Sequence, residues 1–454
     1  MILRRSCWRS PEAELLLESV RTRFRLQLLA PPAGLLSGIE RIFGEKLSPR
    51  EVVLKIIESV RERGIEGLRE TCLRIDGFFP ASLRVPEEKL AEAWEAEPRE
   101  FRDAILRSAE RVRTFQSRLM DGIVGPPPGA RPTEGSSGEQ AIRVIWRPVQ
   151  SAGVHVPGGR AAYPSSVVMN AVPAQVAGVE RVVLVSPPSQ DGEIRRSVLA
   201  AAHALSLDEV YRLGGAQAIA ALAFGVEGVR PVDKIVGPGN IFVTLAKKEV
   251  FGFVGIDMIA GPSEVVVVAD ETSDPRYVAA DLLAQAEHDP LASALLIATS
   301  GEVVERVERE IELLLRRLSR TETILQSLRD YGGAFVVSSV SEAAEAVNRI
   351  APEHLEILLA DPAPLLAEVV NAGAIFVGPY SPEVIGDYCA GPSHTLPTGA
   401  SARFSSGLSV RDFLKPITVL RLGRAEFDSL KGTATALASS EGFEAHRLAV
   451  EIRE

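Results

Sequence analysis

The sequence predicts an α/β fold whose parallel sheets are covered on both faces. Three observations carry this. From about residue 143, short runs rich in Val, Ile and Leu alternate with helical stretches, the pattern of βαβ units. Two glycine-rich turns, Gly214-Gly215-Ala216-Gln217 and Gly237-Pro238-Gly239-Asn240, lead into helices. A hydrophobic content of 46% in 454 residues is ample for large cores, and the length suits two to four domains.

The elements follow in chain order. Residues 1–44 hold one helix, with Ser10 as N-cap, Pro11 at the first helical position, and Glu12 and Glu14 suited to its positive end. Pro31-Pro32 breaks the chain. Ser48-Pro49-Arg50-Glu51 is a capping box opening an amphipathic helix expected to stop at Gly64. Helical pattern continues through Arg99–Phe115, and Gly125 to Gly138 reads as a loop or linker. Candidate strands are Arg181–Val185, Lys234–Val236, Glu264–Ala269, Ala294–Ala298, Phe335–Ser338, Glu356–Leu359 and Ala374–Val377. Helices lie between some of them at Gln217–Phe224, Ile241–Val250 and Glu302–Leu318. Asp274-Pro275 starts a further helix and Asp289-Pro290 ends it. From about Ser409 a helical pattern runs to Ala445-His446-Arg447.

Bulk properties narrow the function. A net charge of -10 argues against nucleic acid or an anionic membrane as partner. Cys7, Cys72 and Cys389 are too few and too scattered for a disulfide framework, so a reducing compartment is expected. The start lacks the apolar core of a signal peptide, and no apolar run approaches bilayer length. The expectation is a soluble cytoplasmic protein.

The chemistry concentrates in polar clusters around the scarce histidines. Gln285 and His288 sit three apart in a helix and share a face, which suits a metal or simply a polar helix face at the rim of a sheet. Glu353 and His354 offer adjacent bases of different pKa, useful for two proton transfers; the bland alternative is a helix C-terminus with a histidine against its dipole. Asp387 lies in the loop Gly386-Asp387-Tyr388-Cys389-Ala390-Gly391-Pro392-Ser393-His394, and His394 reads as a residue behind the ligands rather than one of them. Cys389 would suit thioester chemistry, but Tyr388 and Ala390 supply no cation to lower its pKa. Glu441 and His446 form the last cluster. Imidazole and carboxylate together suit zinc. Gly-x-Gly-x-x-Gly does not occur; Pro157-Gly158-Gly159 and the two glycine turns above are the remaining phosphate-binding candidates, or plain tight turns.

In this order the segments resemble the histidinol dehydrogenase family, from roughly residue 45 to the end. The strings that carry the resemblance are Val156-Pro157-Gly158-Gly159-Arg160-Ala161-Ala162-Tyr163-Pro164-Ser165-Ser166, Gly214 to Leu222, Val232 to Asn240, Ala260-Gly261-Pro262-Ser263-Glu264-Val265, Asp281 to His288, and Ala351-Pro352-Glu353-His354-Leu355. The resemblance implies oxidation of L-histidinol to L-histidine with two NAD through a bound aldehyde. It implies Gln285, His288, Asp387 and His446 as zinc ligands, with the zinc orienting the substrate. Ser263 and Glu441 look like further substrate contacts. His354 resembles the base that takes the alcohol proton, and Glu353 the base that helps water add to the aldehyde. Gln217 and Asn240 match residues that hold NAD. His155 stands where the family usually has a tyrosine associated with NAD.

The fold implied is two Rossmann-like domains, the second inserted in the first, with small helical N- and C-terminal segments. The expected edges are an N-terminal segment 1–44, a first domain of 45–154 plus 263–408, an inserted domain of 155–262, and a C-terminal segment 409–454 swapped across a homodimer. Residues 1–44 match the family poorly. Competing readings are a related dehydrogenase for another small polar alcohol, a zinc hydrolase with Glu353 as base, and a non-catalytic metal-binding protein, which leaves the adjacent Glu353 and His354 without a task.

Overall fold

The structure is a computed structural model that describes residues 2–29, 33–124, 142–158 and 162–453. The Pro31-Pro32 break, the loop expected from Gly125 to Gly138 and the Gly159-Arg160-Ala161 part of one glycine turn lie outside the described residues. The chain divides into two units, one of residues 1–119 with 149–413 and one of residues 120–148 with 414–454.

The strands, in chain order, are β1 (Arg4–Cys7), β2 (Ile142–Pro148), β3 (Ser151–His155), β4 (Arg181–Ser186), β5 (Glu209–Arg212), β6 (Lys234–Val236), β7 (Gly255–Ile256), β8 (Glu264–Ala269), β9 (Ser293–Ala298), β10 (Gly333–Val336), β11 (His354–Leu358), β12 (Ala374–Val377) and β13 (Leu414–Leu420). The first unit holds two wholly parallel sheets, ordered β5-β4-β3-β6-β7 and β1-β10-β9-β8-β11-β12. Apart from the edge strand β1, both follow the order of a Rossmann half, in which the first strand is central and the chain then reverses direction across the sheet. The α/β class with two Rossmann-like parallel sheets is therefore what the chain adopts.

Alternation along β8 shows why this sheet is covered twice. Val265, Val267 and Ala269 enter one core with helices Pro275–His288 and Gly301–Leu315, while Val266 and Val268 enter another with helices Pro11–Leu29 and Val340–Ile350. The segment Pro49–Ile75 opens with the expected Ser48/Glu51 capping box, and its first helix ends at Gly64 (φ 55°, ψ −127°), as expected; a second helix follows directly after the kink. Its Val52, Val53, Ile56 and Val60 pack with the five-stranded sheet, through Val183 and Val185.

The sheets draw other edges than the sequence suggested. The N-terminal segment supplies β1, which pairs with β10, and two helices, Pro11–Leu29 and Ala33–Phe43, where one was expected. All of β3 belongs to the five-stranded sheet, which therefore begins before residue 155. In the second unit β2 pairs antiparallel with β13, so residues 142–148 join the C-terminal segment, followed by helices Arg424–Ser440 and Glu444–Glu451.

At the carboxyl edge of the five-stranded sheet, His155 ends β3 and Gly237 follows β6. Gly237 has φ 109°, and a Cβ there would meet the His155 carbonyl oxygen at 2.2 Å, so only glycine fits. Its amide donates to Asp257 Oδ2 at 2.8 Å, and its carbonyl accepts from Lys247 Nζ at 3.0 Å; Lys247 and Asp257 form a buried ion pair. His155 Nδ1 lies 2.8 Å from the Pro238 carbonyl oxygen and is the donor there, while its buried Nε2 has no partner among the described residues. Burial pushes the His155 pKa down to about 4, with the Pro238 hydrogen bond opposing and Lys247 adding to the fall.

A histidine with a depressed pKa is neutral in the fold and charges more readily when unfolded. Its contribution is intact above pH 6.5 and is lost as pH falls toward 4. The loss should total roughly 3 kcal/mol, at about 1.4 kcal/mol per pKa unit. Denaturant unfolding of wild type and His155→Asn between pH 7 and 4 should show a shallower acid decline in the variant. Parallel curves would mean that His155 does not titrate in this way.

Candidate active site

The helix Pro275–His288 is capped by Asp274, whose side chain accepts from the Arg276 amide at 2.9 Å, and it ends at His288 as expected. Gln285 is 1% exposed, and among the described residues neither of its side-chain polar atoms has a partner. A buried primary amide left unpaired is costly and marks a place where something else binds. His288, three residues on, is exposed and lies within the field of Asp387. Asp387 belongs to a five-residue π-helical turn, Gly386–Ala390, where the sequence suggested a loop; such turns recur at functional sites. His394 steadies that turn, with Nδ1 3.0 Å from the Asp387 carbonyl oxygen and Nε2 3.1 Å from Ser166 Oγ.

Glu353 and His354 are placed by the backbone. The helix Val340–Ile350 ends on Ala351 in the left-handed region (φ 50°), which turns the chain into Pro352 and Glu353. Strand β11 begins at His354, two residues before the expected start, so the imidazole sits at the amino edge of the sheet. Gly373 closes the turn, donating to the Pro352 carbonyl at 2.9 Å; a Cβ there would lie 2.6 Å from the Glu353 carbonyl oxygen. One residue of β8 then holds both side chains. The Glu264 amide donates to Glu353 Oε2 at 3.0 Å, and the Glu264 carbonyl oxygen lies 3.1 Å from His354 Nδ1.

Carboxylates surround the imidazole. Nδ1 is 3.8 Å from Glu353 Oε2 and 3.7 Å from Glu383 Oε2, and Nε2 is 3.4 Å from Asp387 Oδ1, close but without hydrogen-bond geometry. Burial opposes a charge on His354, but Glu383, Glu353 and Asp387 outweigh it and raise its pKa well above the ordinary value. Burial pushes Glu353 up to about 7, with His354 opposing and Glu264 adding. Glu383 is pushed up to about 8, again chiefly by burial. Two bases of neutral-range or higher proton affinity, side by side and out of water, suit stepwise proton removal.

The other expected residues fall in three places. Ser263 is half-buried beside Glu264. His155, Gln217 and Asn240 gather on segments that leave the carboxyl edge of the five-stranded sheet. Gln217 is buried and donates to Asp76 Oδ2 at 3.0 Å, and Asn240 caps its helix by accepting from the Phe242 and Val243 amides. Glu441 and His446 are exposed on the second unit, His446 with its ring 4.9 Å from that of Phe443. Among the described residues no group of three or more His, Cys, Asp or Glu is arranged to hold a metal by itself.

Sequence reasoning missed the acids that support the site. Glu264, Asp281, Glu356 and Glu383 are all buried. The carboxyl groups of Asp281 and Glu356 are hydrogen-bonded to each other, and Glu356 Oε1 accepts from the Glu383 amide at 2.6 Å. Burial and Asp281 push Glu356 up to about 10, and burial raises Asp281 as well, so the pair holds a proton between its two carboxyls. This shared proton ties together helix Pro275–His288, β11 and the segment leading to Asp387. The signal was present as an acid in the otherwise apolar run Leu355-Glu356-Ile357-Leu358, since carboxyls seldom enter such strands unpaired.

Residues 44–454 match the family model described as histidinol dehydrogenase. The chain is 50% identical over 398 residues to histidinol dehydrogenase of Parasynechococcus marenigrum (strain WH8102), covering 88% of this chain and 89% of the relative. It is 47% identical over 410 residues to that of Geobacillus kaustophilus (strain HTA426), covering 89% and 93%. The crystal structure of histidinol dehydrogenase from Elizabethkingia anophelis superposes with a TM-score of 0.85 at 29% identity, covering 100% of this chain and 98% of that one.

Glu356→Gln keeps a donor toward Asp281 and an acceptor for the Glu383 amide, so its thermal midpoint should stay within a few degrees of wild type. Glu356→Leu strands both partners and should cost about 2–5 kcal/mol in denaturant unfolding. Equal losses in the two variants would show that Glu356 acts as a charged carboxylate.

Proposed function

The chain belongs to the histidinol dehydrogenase family, and from that premise we propose that it oxidises L-histidinol to L-histidine with two NAD, through bound L-histidinaldehyde. The observation that carries this is the buried pair Glu353 and His354, both held by the backbone of Glu264. Alcohol oxidation needs a base at the hydroxyl as hydride leaves carbon. The aldehyde yields a second hydride only after hydration, so a second base must activate water. His354 takes the hydroxyl proton; Glu353 takes the proton of the adding water. The neutral form of His354 is reached when one of the negative charges around it is offset. NAD, when bound, supplies the hydride acceptor. His155, Gln217 and Asn240 would hold it, at the switch point of the five-stranded sheet where dinucleotides bind in Rossmann folds.

The unpaired amide of buried Gln285, beside the nitrogen donor His288 and within reach of the field of Asp387, fits a borderline cation such as zinc. Gln285, His288, Asp387 and His446 would hold it. Zinc, when bound, supplies a fixed charge that orients the substrate through its imidazole and amine. Ser263 and Glu441 would contact the substrate. His446 and Glu441 are exposed on a small unit that also exposes Leu430, Leu437, Leu448 and Ile452, a surface suited to docking on a second copy. We therefore read the protein as a homodimer with shared sites, working in the cytoplasm.

Purified protein supplied with zinc, NAD and L-histidinol should form two NADH per histidine. A ratio near one, with aldehyde accumulating, would sink the mechanism. Glu353→Gln should slow oxidation of supplied aldehyde more than that of the alcohol, by about 10²–10⁴-fold.

Shared sites predict complementation. A doubly tagged mixed dimer of His288→Ala and His446→Ala chains should regain up to about half of wild-type activity, since one site then carries both lesions and the other none. No recovery in a folded mixed dimer would mean that each tail serves its own subunit.

A further inference from the structure

The N-terminal helix reaches the candidate active site through one side chain. Arg23, on the helix Pro11–Leu29, is 2% exposed, and its guanidinium crosses to the start of β8. Nη2 donates to the Pro262 carbonyl at 2.9 Å, to the Ser263 carbonyl at 3.3 Å and to Glu264 Oε1 at 2.8 Å; Nη1 donates to the Val20 carbonyl of its own helix at 3.0 Å. Glu264 Oε1 also accepts from the Gly399 amide at 2.8 Å. The backbone of Glu264 is what holds Glu353 and His354. Residue 23 lies ahead of the family match, which begins at residue 44.

We propose that Arg23 is a positioning residue for the reaction, acting through Glu264 on both bases and through the Ser263 carbonyl on the substrate side. A planar guanidinium suits this task. It is always charged, and its planar fork keeps Nη1 on the Val20 carbonyl of its own helix while Nη2 reaches the Glu264 carboxylate and the two neighbouring carbonyls. Lysine, a single ammonium on a flexible stem, matches the charge without matching the fork. With the fork removed, Glu264 retains only Gly399 as a side-chain partner among the contacts described above, and the peptide carrying the Glu353 and His354 contacts is free to shift. Shifts on the order of 1 Å remote from the chemistry can cost about 10²-fold in rate.

The inference rests on reading Glu353 and His354 as the bases, so its test has two independent readouts. Arg23→Met and Arg23→Lys in the full-length protein are compared with wild type. The first readout is steady-state NADH formation. Arg23→Met should lower kcat by about 10–100-fold while leaving KM for NAD within about twofold, and Arg23→Lys should fall between. The second is amide hydrogen exchange. The Glu264 amide should exchange faster in Arg23→Met, with β3 and β4 unchanged.

If wild type forms no NADH from histidinol, the functional reading fails while the exchange data still decide whether Arg23 positions Glu264. A folded Arg23→Met with wild-type kcat, or with unchanged Glu264 exchange, overturns the proposal. So does acceleration of exchange across both sheets alike, since that marks general loosening. Should Arg23→Met not fold, Arg23→Lys carries the same two readouts: wild-type values in either would overturn the proposal, and a kcat loss with local exchange at Glu264 supports it.

Discussion

The chemistry proposed for this protein hangs on the peptide groups of Glu264. Its N–H orients a buried carboxyl, its C=O orients a buried imidazole, and its own side chain is pinned by a guanidinium and a loop amide. Backbone groups at a strand end are rigid because the next residues are locked in a ladder. Val265 to Ala269 pair on both sides, with β9 and β11. A side chain in the same role would bring its own rotamers. The cost is that the strand must begin with an acid in a dry interior, and Arg23 offsets that charge at 2.8 Å with both side chains almost fully buried.

The two sheets use opposite edges. Candidate NAD residues lie at the carboxyl edge of the five-stranded sheet, where parallel sheets commonly bind ligands. The proposed bases, Glu353 and His354, lie at the amino edge of the six-stranded sheet, which is not the usual place. The chain passes from one to the other through residues 257–263, the short link between β7 and β8. Asp257 at its start is paired with Lys247 beneath the glycine turn, and Ser263 at its end carries a carbonyl bound by Arg23. On the proposed reading, a short tethered link of this kind would set hydride acceptor and proton acceptor on either side of one substrate.

Much of this was legible in the sequence, for identifiable reasons. The βαβ alternation depends on local apolar runs, and Lys234–Val236, Glu264–Ala269 and Ala374–Val377 match their strands end to end. Caps at Ser48 and Asp274 are local hydrogen bonds and read directly. Strands β1, β2 and β13 escaped because their partners are distant in sequence and two of the three carry charge at several positions. Gly64 read correctly as the end of a helix, because its positive φ is a local backbone property. The supporting acids escaped because each is a single residue whose meaning depends on a partner elsewhere, as Glu356 depends on Asp281. Glu353 and His354 were visible because they are adjacent, whereas the residue that holds them, Glu264, lies far earlier in the chain.

The edge pairing of β1 with β10 has a bearing on how the chain is made. Synthesis releases Arg4–Cys7 early, yet its partner Gly333–Val336 emerges only after the whole five-stranded sheet, which spans residues 151–256, has left the ribosome. That sheet is contiguous and free to close early, as domains do during translation. The six-stranded sheet cannot close until late. In the interval the apolar face of the first helix, with Leu16, Leu17 and Val20, has none of its final neighbours Phe335 and Val337. The apolar face of this helix therefore stays unmatched while the five-stranded sheet is made, and the β1 edge of the six-stranded sheet can form only late in synthesis.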